Sequence, residues 1–202
     1  GITGTRGKTT VTMMVEKILR DGLSDRKIML GGNLRGVATL PLLENVSGGE
    51  IIVMEISSWQ LQGFGDAGIS PHVSVFTNFM DDHLNYYGGD RDLYFKDKSY
   101  IFTNQTEKDF LVYGTDMQEK FLEKINEAKS KKIQSGNDFK INLKIPGQHN
   151  VYNAALAYEV GKIYEISEGN IRKSLEEFSG APGRVEFLRE VGGVYFYNDT
   201  NT

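Results

Sequence analysis

The densest chemistry in the chain lies in its first ten residues, Gly1-Ile2-Thr3-Gly4-Thr5-Arg6-Gly7-Lys8-Thr9-Thr10. Gly4 and Gly7 allow a backbone to wrap an anion, with Thr5, Thr9 and Thr10 in the same turn. Lys8 is placed to reach outer phosphates and the Thr9 hydroxyl to hold Mg2+. The strict phosphate-loop motif carries a Gly where this chain has Ile2, so the stretch is a variant of that motif. A helix follows at once, because Val11, Met14, Val15, Ile18 and Leu19 recur on one face. A helix start presents unpaired N–H groups and a partial positive charge, which together favour an anion. The bland alternative is a Gly-rich helix entry with a solvated Lys. It fits poorly, since Gly-Lys-Thr-Thr opening an amphipathic helix rarely occurs without a nucleotide.

Further along, Glu55 ends an apolar run and opens Glu55-Ile56-Ser57-Ser58-Trp59-Gln60-Leu61. A carboxylate at that place is the usual second anchor for the Mg2+ that bridges nucleotide phosphates. Asp81-Asp82-His83 offers a metal-ligating imidazole with acids to orient it, and fits a solvent-exposed turn equally well. Lys98 shares a helical stripe with Tyr94, Phe95, Ile101 and Phe102. A buried Lys must be paired, neutralised or modified, whereas a Lys at the stripe's edge would simply snorkel. Asn150 and Asn153 lie one turn apart at a helix start, where they could bind a base or ribose or merely cap the helix. Arg184 and Asp199 lie in the last segment, where Arg could meet a phosphate or form a surface ion pair.

These residues need elements to position them. Lys27–Leu30, Glu50–Glu55, His72–Asn78 and Asp109–Tyr113 read as strands, with helical patterns over Tyr94–Phe102 and Met117–Ala128. Strands alternating with helices imply an α/β phosphate-loop domain with a mostly parallel central sheet flanked by helices. Ligands of such sheets sit beyond the carboxyl ends of the strands, and Asn33, Glu55 and Asn78 all fall there. Phe139, Ile141, Leu143 and Ile145 alternate with polar residues, which predicts a half-exposed strand in a small antiparallel subsheet. Pro146-Gly147 ends that run, and a helix with Val151, Ala154, Ala155 and Tyr158 on its apolar face follows. Ser167 reads as the N-cap of a helix running to Phe178, and Gly192-Gly193 as a hairpin turn.

With 202 residues, 39% hydrophobic and 25% charged, the chain has the composition of a soluble globular domain. Its net charge of −4 speaks against a general nucleic-acid or membrane partner. No apolar run suits a membrane span, and the absence of Cys rules out disulfides and thiolate metal sites, compatible with a cytoplasmic setting. A phosphate loop normally follows a buried strand, yet here it opens the chain, and the other end stops in the polar run Asn198–Thr202. Both ends therefore read as cut from a larger protein.

In this order and spacing the motifs resemble the Mur ligase family, the ATP-dependent amide-forming enzymes of peptidoglycan assembly. Gly4-Thr-Arg-Gly-Lys-Thr-Thr10 is similar to the family's phosphate loop, and Glu55–Leu61 to the signature of the member that adds D-glutamate to UDP-N-acetylmuramoyl-L-alanine. Asn78–His83, Tyr94-x-x-x-Lys98, Gly147-Gln-His-Asn150-Val-Tyr-Asn153, Pro182-Gly-Arg184 and Asn198-Asp199 resemble the remaining family motifs. The resemblance implies a central ATP-binding domain over residues 1–202, flanked in the whole enzyme by UDP-binding and amino-acid-binding domains, with a monomer expected. It implies that Gly4, Thr5, Gly7, Lys8, Thr9 and Thr10 hold ATP with Asn150, Asn153, Arg184 and Asp199. Thr9, Glu55, His83 and a carbamylated Lys98 would place two Mg2+ ions, and Lys8, Glu55, His83 and Lys98 would be catalytic. Asn33, Ser57, Ser58 and His83 would face a UDP-linked muramoyl peptide, with D-glutamate as the amine.

Three positions depart from the pattern: Arg6 replaces a common Asn, Gly183 replaces His, and Asn201 stands where many relatives have Lys. Arg6 is also found in the more distant poly-γ-glutamate synthetases, whereas Ser57-Ser-Trp-Gln-Leu61 favours the first assignment. A phosphate-loop ATPase working as a conformational switch is the alternative from another class, and indifference to an amino acid would distinguish it. A non-catalytic ATP-binding relic is a third reading, against which the full set of Lys8, Thr9, Glu55, His83 and Lys98 speaks.

Overall fold

The computed structural model describes residues 1–199 apart from Leu84, Asp116, Asn137 and Val185, so Asn201 lies outside the described residues. The loop is fed by a two-residue strand, β1 (Ile2–Thr3), and runs into α1 (Lys8–Gly22). Then follow β2 (Ile28–Gly32), β3 (Ile51–Glu55), α2 (Ser58–Asp66), β4 (Val73–Phe76), α3 (Arg91–Thr103) and β5 (Phe110–Tyr113). The chain continues through α4 (Glu119–Asn126), β6 (Lys131–Gln134), α5 (Gln148–Ile163), α6 (Glu168–Glu176) and the hairpin strands β7 (Glu186–Val191) and β8 (Val194–Asn198).

The central sheet has the order β2-β3-β1-β4-β5-β6, every pair parallel. Ile2 stands opposite both Glu55 and Val75, so the loop leaves the middle of the sheet between the ends of β3 and β4. Successive strand residues point to opposite faces. Val75 and Val112 accordingly join one core with Val11, Met14, Ile18 and Leu156, while Phe76 and Leu111 join the other with Leu61 and Phe95. Helices α1, α5 and α6 cover the first face, and α2, α3 and α4 the second. The predicted face of α1 is buried at every position named, as are Ile171, Leu175 and Phe178 around α6, whose N-cap is Ser167.

One expectation is corrected. Phe139–Ile145 is no strand: it is irregular chain outside any ladder, bending at Lys144–Ile145. Its alternation arises because every second residue lies on the helix layer, with Ile145 buried and Phe139 against Tyr158. Two of its carbonyls are met by side chains instead of a neighbouring strand: Arg172 donates to the Lys140 carbonyl at 2.9 Å and Tyr197 to that of Lys144 at 3.4 Å. The small antiparallel sheet exists, built by β7 and β8 around the Gly192-Gly193 turn. Among the described residues no helix is long and apolar enough to cross a membrane.

Candidate active site

The loop is held by bonds from the end of β4. Thr5 N–H donates to the Asn78 carbonyl at 3.0 Å and Arg6 N–H to Asn78 Oδ1 at 2.9 Å. Thr77 Oγ1 and Asn78 Nδ2 donate in turn to the Arg6 carbonyl at 2.6 and 3.2 Å. Glycine is required at two points. Gly4 has φ +143° and a Cβ there would meet Thr77 Oγ1 at 2.0 Å; Gly7 has φ +81° and a Cβ there would meet Asn153 Oδ1 at 2.4 Å. The left-handed Gly7 turns the chain into α1, whose first intrahelical bond runs from Val11 N–H to the Gly7 carbonyl. By helix geometry the earlier N–H groups of α1 are left facing the loop's hollow.

Both predicted lysines arrive at this loop. Lys8 Nζ donates to the Thr5 carbonyl at 3.0 Å, and burial lowers its pKa. Lys98 reaches from α3, is only 2% exposed, and donates to the Gly4 carbonyl at 2.7 Å, with the Tyr94 ring 4.8 Å from its Nζ. Burial, and after it the charge of Lys8, bring the Lys98 pKa down to about 7. Opposite them Glu55, buried at the end of β3, accepts from the Thr9 hydroxyl at 2.6 Å and from Asn33 Nδ2 at 3.4 Å. The Thr9–Glu55 pair supplies two hard oxygen atoms beside a phosphate loop. That donor set fits Mg2+, which is typically bound by one or two protein oxygens with substrate phosphates completing the shell.

Thr9, Asn33, Glu55, Arg184, Glu186 and Asn198 line one cleft of about 930 Å3. Arg184 comes from the turn before β7, and its charge acts on Lys8. Asn153 abuts Gly7, while Asn150, one turn earlier on α5, donates to the Pro146 carbonyl at 2.7 Å; both are buried. Asp199 follows β8, away from the loop in sequence but next to Asn198 of the cleft lining. Thr10 is buried in the first turn of α1.

Other predicted residues are placed differently. His83 is exposed, has φ +52°, and packs its ring 4.9 Å from that of Trp59 and 6.4 Å from that of Tyr94. Among the described residues no three His, Asp or Glu side chains gather as a metal site. Ser57 caps α2: it accepts from Gln60 N–H at 3.3 Å while Gln60 Oε1 accepts from Ser57 N–H at 3.0 Å. Ser58 is buried in the first turn of α2. Sequence reading missed Thr77 and Tyr152, whose hydroxyl donates to the Thr77 carbonyl at 2.8 Å and ties α5 to the loop's anchor. Thr77 directly precedes Asn78, and only that adjacency could have flagged it.

Strand order, loop and paired Thr9–Glu55 define a phosphate-loop α/β domain. The family model described as the Mur ligase middle domain matches residues 2–140, and the chain belongs to the Mur ligase family. It is 36% identical to the UDP-N-acetylmuramoylalanine–D-glutamate ligase of Enterococcus hirae, over 99% of this chain and 47% of that protein. With the corresponding ligase of Streptococcus mutans it shares 34% identity over 100% of this chain and 48% of the relative. The chain thus spans about half the length of the curated relatives it matches. Among solved structures, MurF of Acinetobacter baumannii aligns with a TM-score of 0.75 at 22% identity, over 98% of this chain and 49% of that one. MurF of Thermotoga maritima, solved in complex with ADP, aligns at 0.73 and 22% identity, over 98% of this chain and 52% of that one. At such identity these two speak for the shared fold.

Proposed function

We propose that this chain is the central ATP-binding domain of a three-domain ligase that joins D-glutamate to UDP-N-acetylmuramoyl-L-alanine in peptidoglycan precursor synthesis. The observation that carries the reading is the Thr9–Glu55 pair at 2.6 Å facing the loop that Lys8 and Lys98 brace. The names of the relatives and their roughly doubled length support the substrates and the flanking domains. The enzyme is read as a cytoplasmic monomer.

In this reading an acceptor carboxylate oxygen attacks the terminal phosphorus of ATP, the bond to ADP breaks, and an acyl phosphate forms. The amine of D-glutamate then attacks the carbonyl carbon, the nitrogen gives up a proton, and phosphate leaves from the tetrahedral intermediate. The loop N–H groups and Lys8 neutralise charge that develops on the phosphoryl oxygens, the term that dominates such transfers. Thr9 and Glu55 would hold Mg2+, which supplies further neutralisation when bound. Gly4, Thr5, Gly7 and Thr10 shape the phosphate pocket, and Asn150, Asn153, Arg184 and Asp199 hold the rest of the nucleotide. By the family resemblance Asn33, Ser57, Ser58 and His83 would face the acceptor, Ser57 and Ser58 from the start of α2 that the Ser57 hydroxyl caps.

Lys98 is proposed to act as a carbamate. Near pH 7 a large share of its amine is neutral, and a neutral amine adds to CO2, releasing one proton and leaving a carboxylate. That anion, with His83, would hold a second Mg2+. A Lys98→Ala variant of the ligase should lose most activity and regain part of it with formate or acetate; rescue by methylammonium instead would show that Lys98 works as a cation.

The reading as a whole is tested by calorimetry and phosphate release. The 202-residue protein should bind Mg-ATP saturably, lose binding in Lys8→Ala, and form no amide when given acceptor and D-glutamate. The full-length ligase should release phosphate quickly only with both present. Turnover by the 202-residue protein alone would overturn the three-domain assignment, and phosphate release indifferent to D-glutamate would overturn the ligation.

A further inference from the structure

Arg6 is the one loop side chain that the proposed mechanism leaves without a task. Its backbone is pinned on both sides, the N–H by Asn78 Oδ1 and the carbonyl by Thr77 Oγ1 and Asn78 Nδ2. The direction in which its side chain leaves the loop is therefore fixed, while the side chain itself reaches solvent, being 72% exposed. Its ion-pair partner is Asp82, with Nη2 and Oδ2 4.0 Å apart. Such a long pair, with one partner largely in solvent, is worth roughly 0–1 kcal/mol. Asp82 and Arg6 both act electrostatically on Lys8, whose Nζ donates to the carbonyl of Thr5, the residue before Arg6, so the pair lies beside the loop and not on a remote surface.

We propose that Arg6 reads the terminal phosphate of the bound nucleotide, leaving Asp82 to form a charge-assisted contact with that group. The inference rests on the ATP-binding reading above. Lys8 and Lys98 both donate to loop carbonyls, Thr5 and Gly4 respectively. Among the described residues Arg6 is the loop cation that meets only the half-buried carboxylate of Asp82, at 4.0 Å, and a phosphate with multiple charges and several acceptor oxygens competes well for it. A guanidinium can engage such a group through two parallel N–H bonds, which an ammonium cannot match. The terminal phosphate distinguishes ATP from ADP, so Arg6 would make affinity depend on the number of phosphates without taking part in holding the base.

Binding of ATP and ADP to the 202-residue protein, followed by calorimetry at low and high salt, tests this without reference to turnover. In Arg6→Asn the Kd for ATP should rise about tenfold, as expected for loss of a charged hydrogen bond, with the Kd for ADP within twofold of the parent. Arg6→Lys should fall between the two, and the tenfold gap should shrink at high salt. Equal weakening of ATP and ADP would assign Arg6 to loop architecture, and unchanged affinity for both would remove it from the site; either overturns the proposal while ATP binding stands. Failure of the parent protein itself to bind ATP would instead overturn the underlying reading, and this proposal with it.

Discussion

The phosphate loop and the β7–β8 hairpin border the same cleft but are built in opposite ways. The loop takes bonds from the end of β4 and from α3, and its neighbours Tyr94, Glu55 and Lys98 are almost wholly buried. The hairpin is held mainly by its own ladder, with Phe187 N–H on the Ser179 carbonyl at 2.8 Å and Tyr197 on that of Lys144. Leu188, Val194 and Tyr195 on it are each 57% exposed. An isolated two-stranded hairpin is marginal in water. The charges that must not move are thus mounted where the backbone is over-determined. Arg184 and Asp199 sit at the ends of the more exposed, more sparsely anchored unit.

If the loop side carries the chemistry, changes there should cost activity out of proportion to stability. In the full-length ligase Lys8→Ala and Glu55→Gln should each lower kcat by about 10²–10³, with little change in melting temperature. A loss under fivefold in both would remove them from the site. The buried amine should also leave a signature that the hairpin lacks. Because the folded Lys98 pKa lies near 7 against an ordinary 10.5, the unfolded chain binds more protons between those values. Stability should therefore rise with pH across that window, the full benefit being present above 10.5 and lost as pH falls towards 7. Urea melts at pH 7 and 9 in CO2-free buffer should show a smaller rise in Lys98→Met than in the parent; an identical rise would mean that Lys98 is not buried as an amine.

Smaller effects compare the two units directly. Asn78→Ala removes the acceptor for Arg6 N–H and should destabilise by about 1–3 kcal/mol. Leu188→Ser on the hairpin should stay within about 0.5 kcal/mol. Denaturant titrations of both variants decide, and equal losses would contradict the contrast between them. Amide exchange should rank the same way, with β7 and β8 losing protection well before β3 and β4.

Much of this was legible because the strongest patterns are local. The face of α1, the apolar run of β3 and the Ser167 cap each follow from a handful of neighbouring residues. Strand β6 escaped notice because Lys131-Lys-Ile-Gln134 is a mostly exposed edge with little apolar content. Helix α2 was hidden by two glycines and a weak apolar face. Phe139–Ile145 misled because period-two burial also arises when irregular chain lies across helices. Within the site, Lys98 stood out as a cation on an apolar stripe, where pattern alone allowed it to be buried or to snorkel; it is buried. Ser57 was expected to face substrate on the family resemblance alone, and its hydroxyl caps α2. Thr77 carries no compositional mark, since its role comes from a contact 71 residues away.

That separation has a consequence in time. Arg6 is pinned by Asn78 across 72 residues and Gly4 is braced by Lys98 across 94, while β1 itself contributes only Ile2 and Thr3 to the sheet. Contacts so distant along the chain repay their loop-closure entropy late. The loop is therefore expected to be among the last parts of the sheet's rim to take shape, however early its residues are made. During refolding, fluorescence of a bound nucleotide analogue should return with the slowest phase and not with helix formation. Appearance in the first phase would show that the loop closes on local contacts alone. The phosphate pocket thus reports that strands β3 and β4 and helix α3 have already found their places.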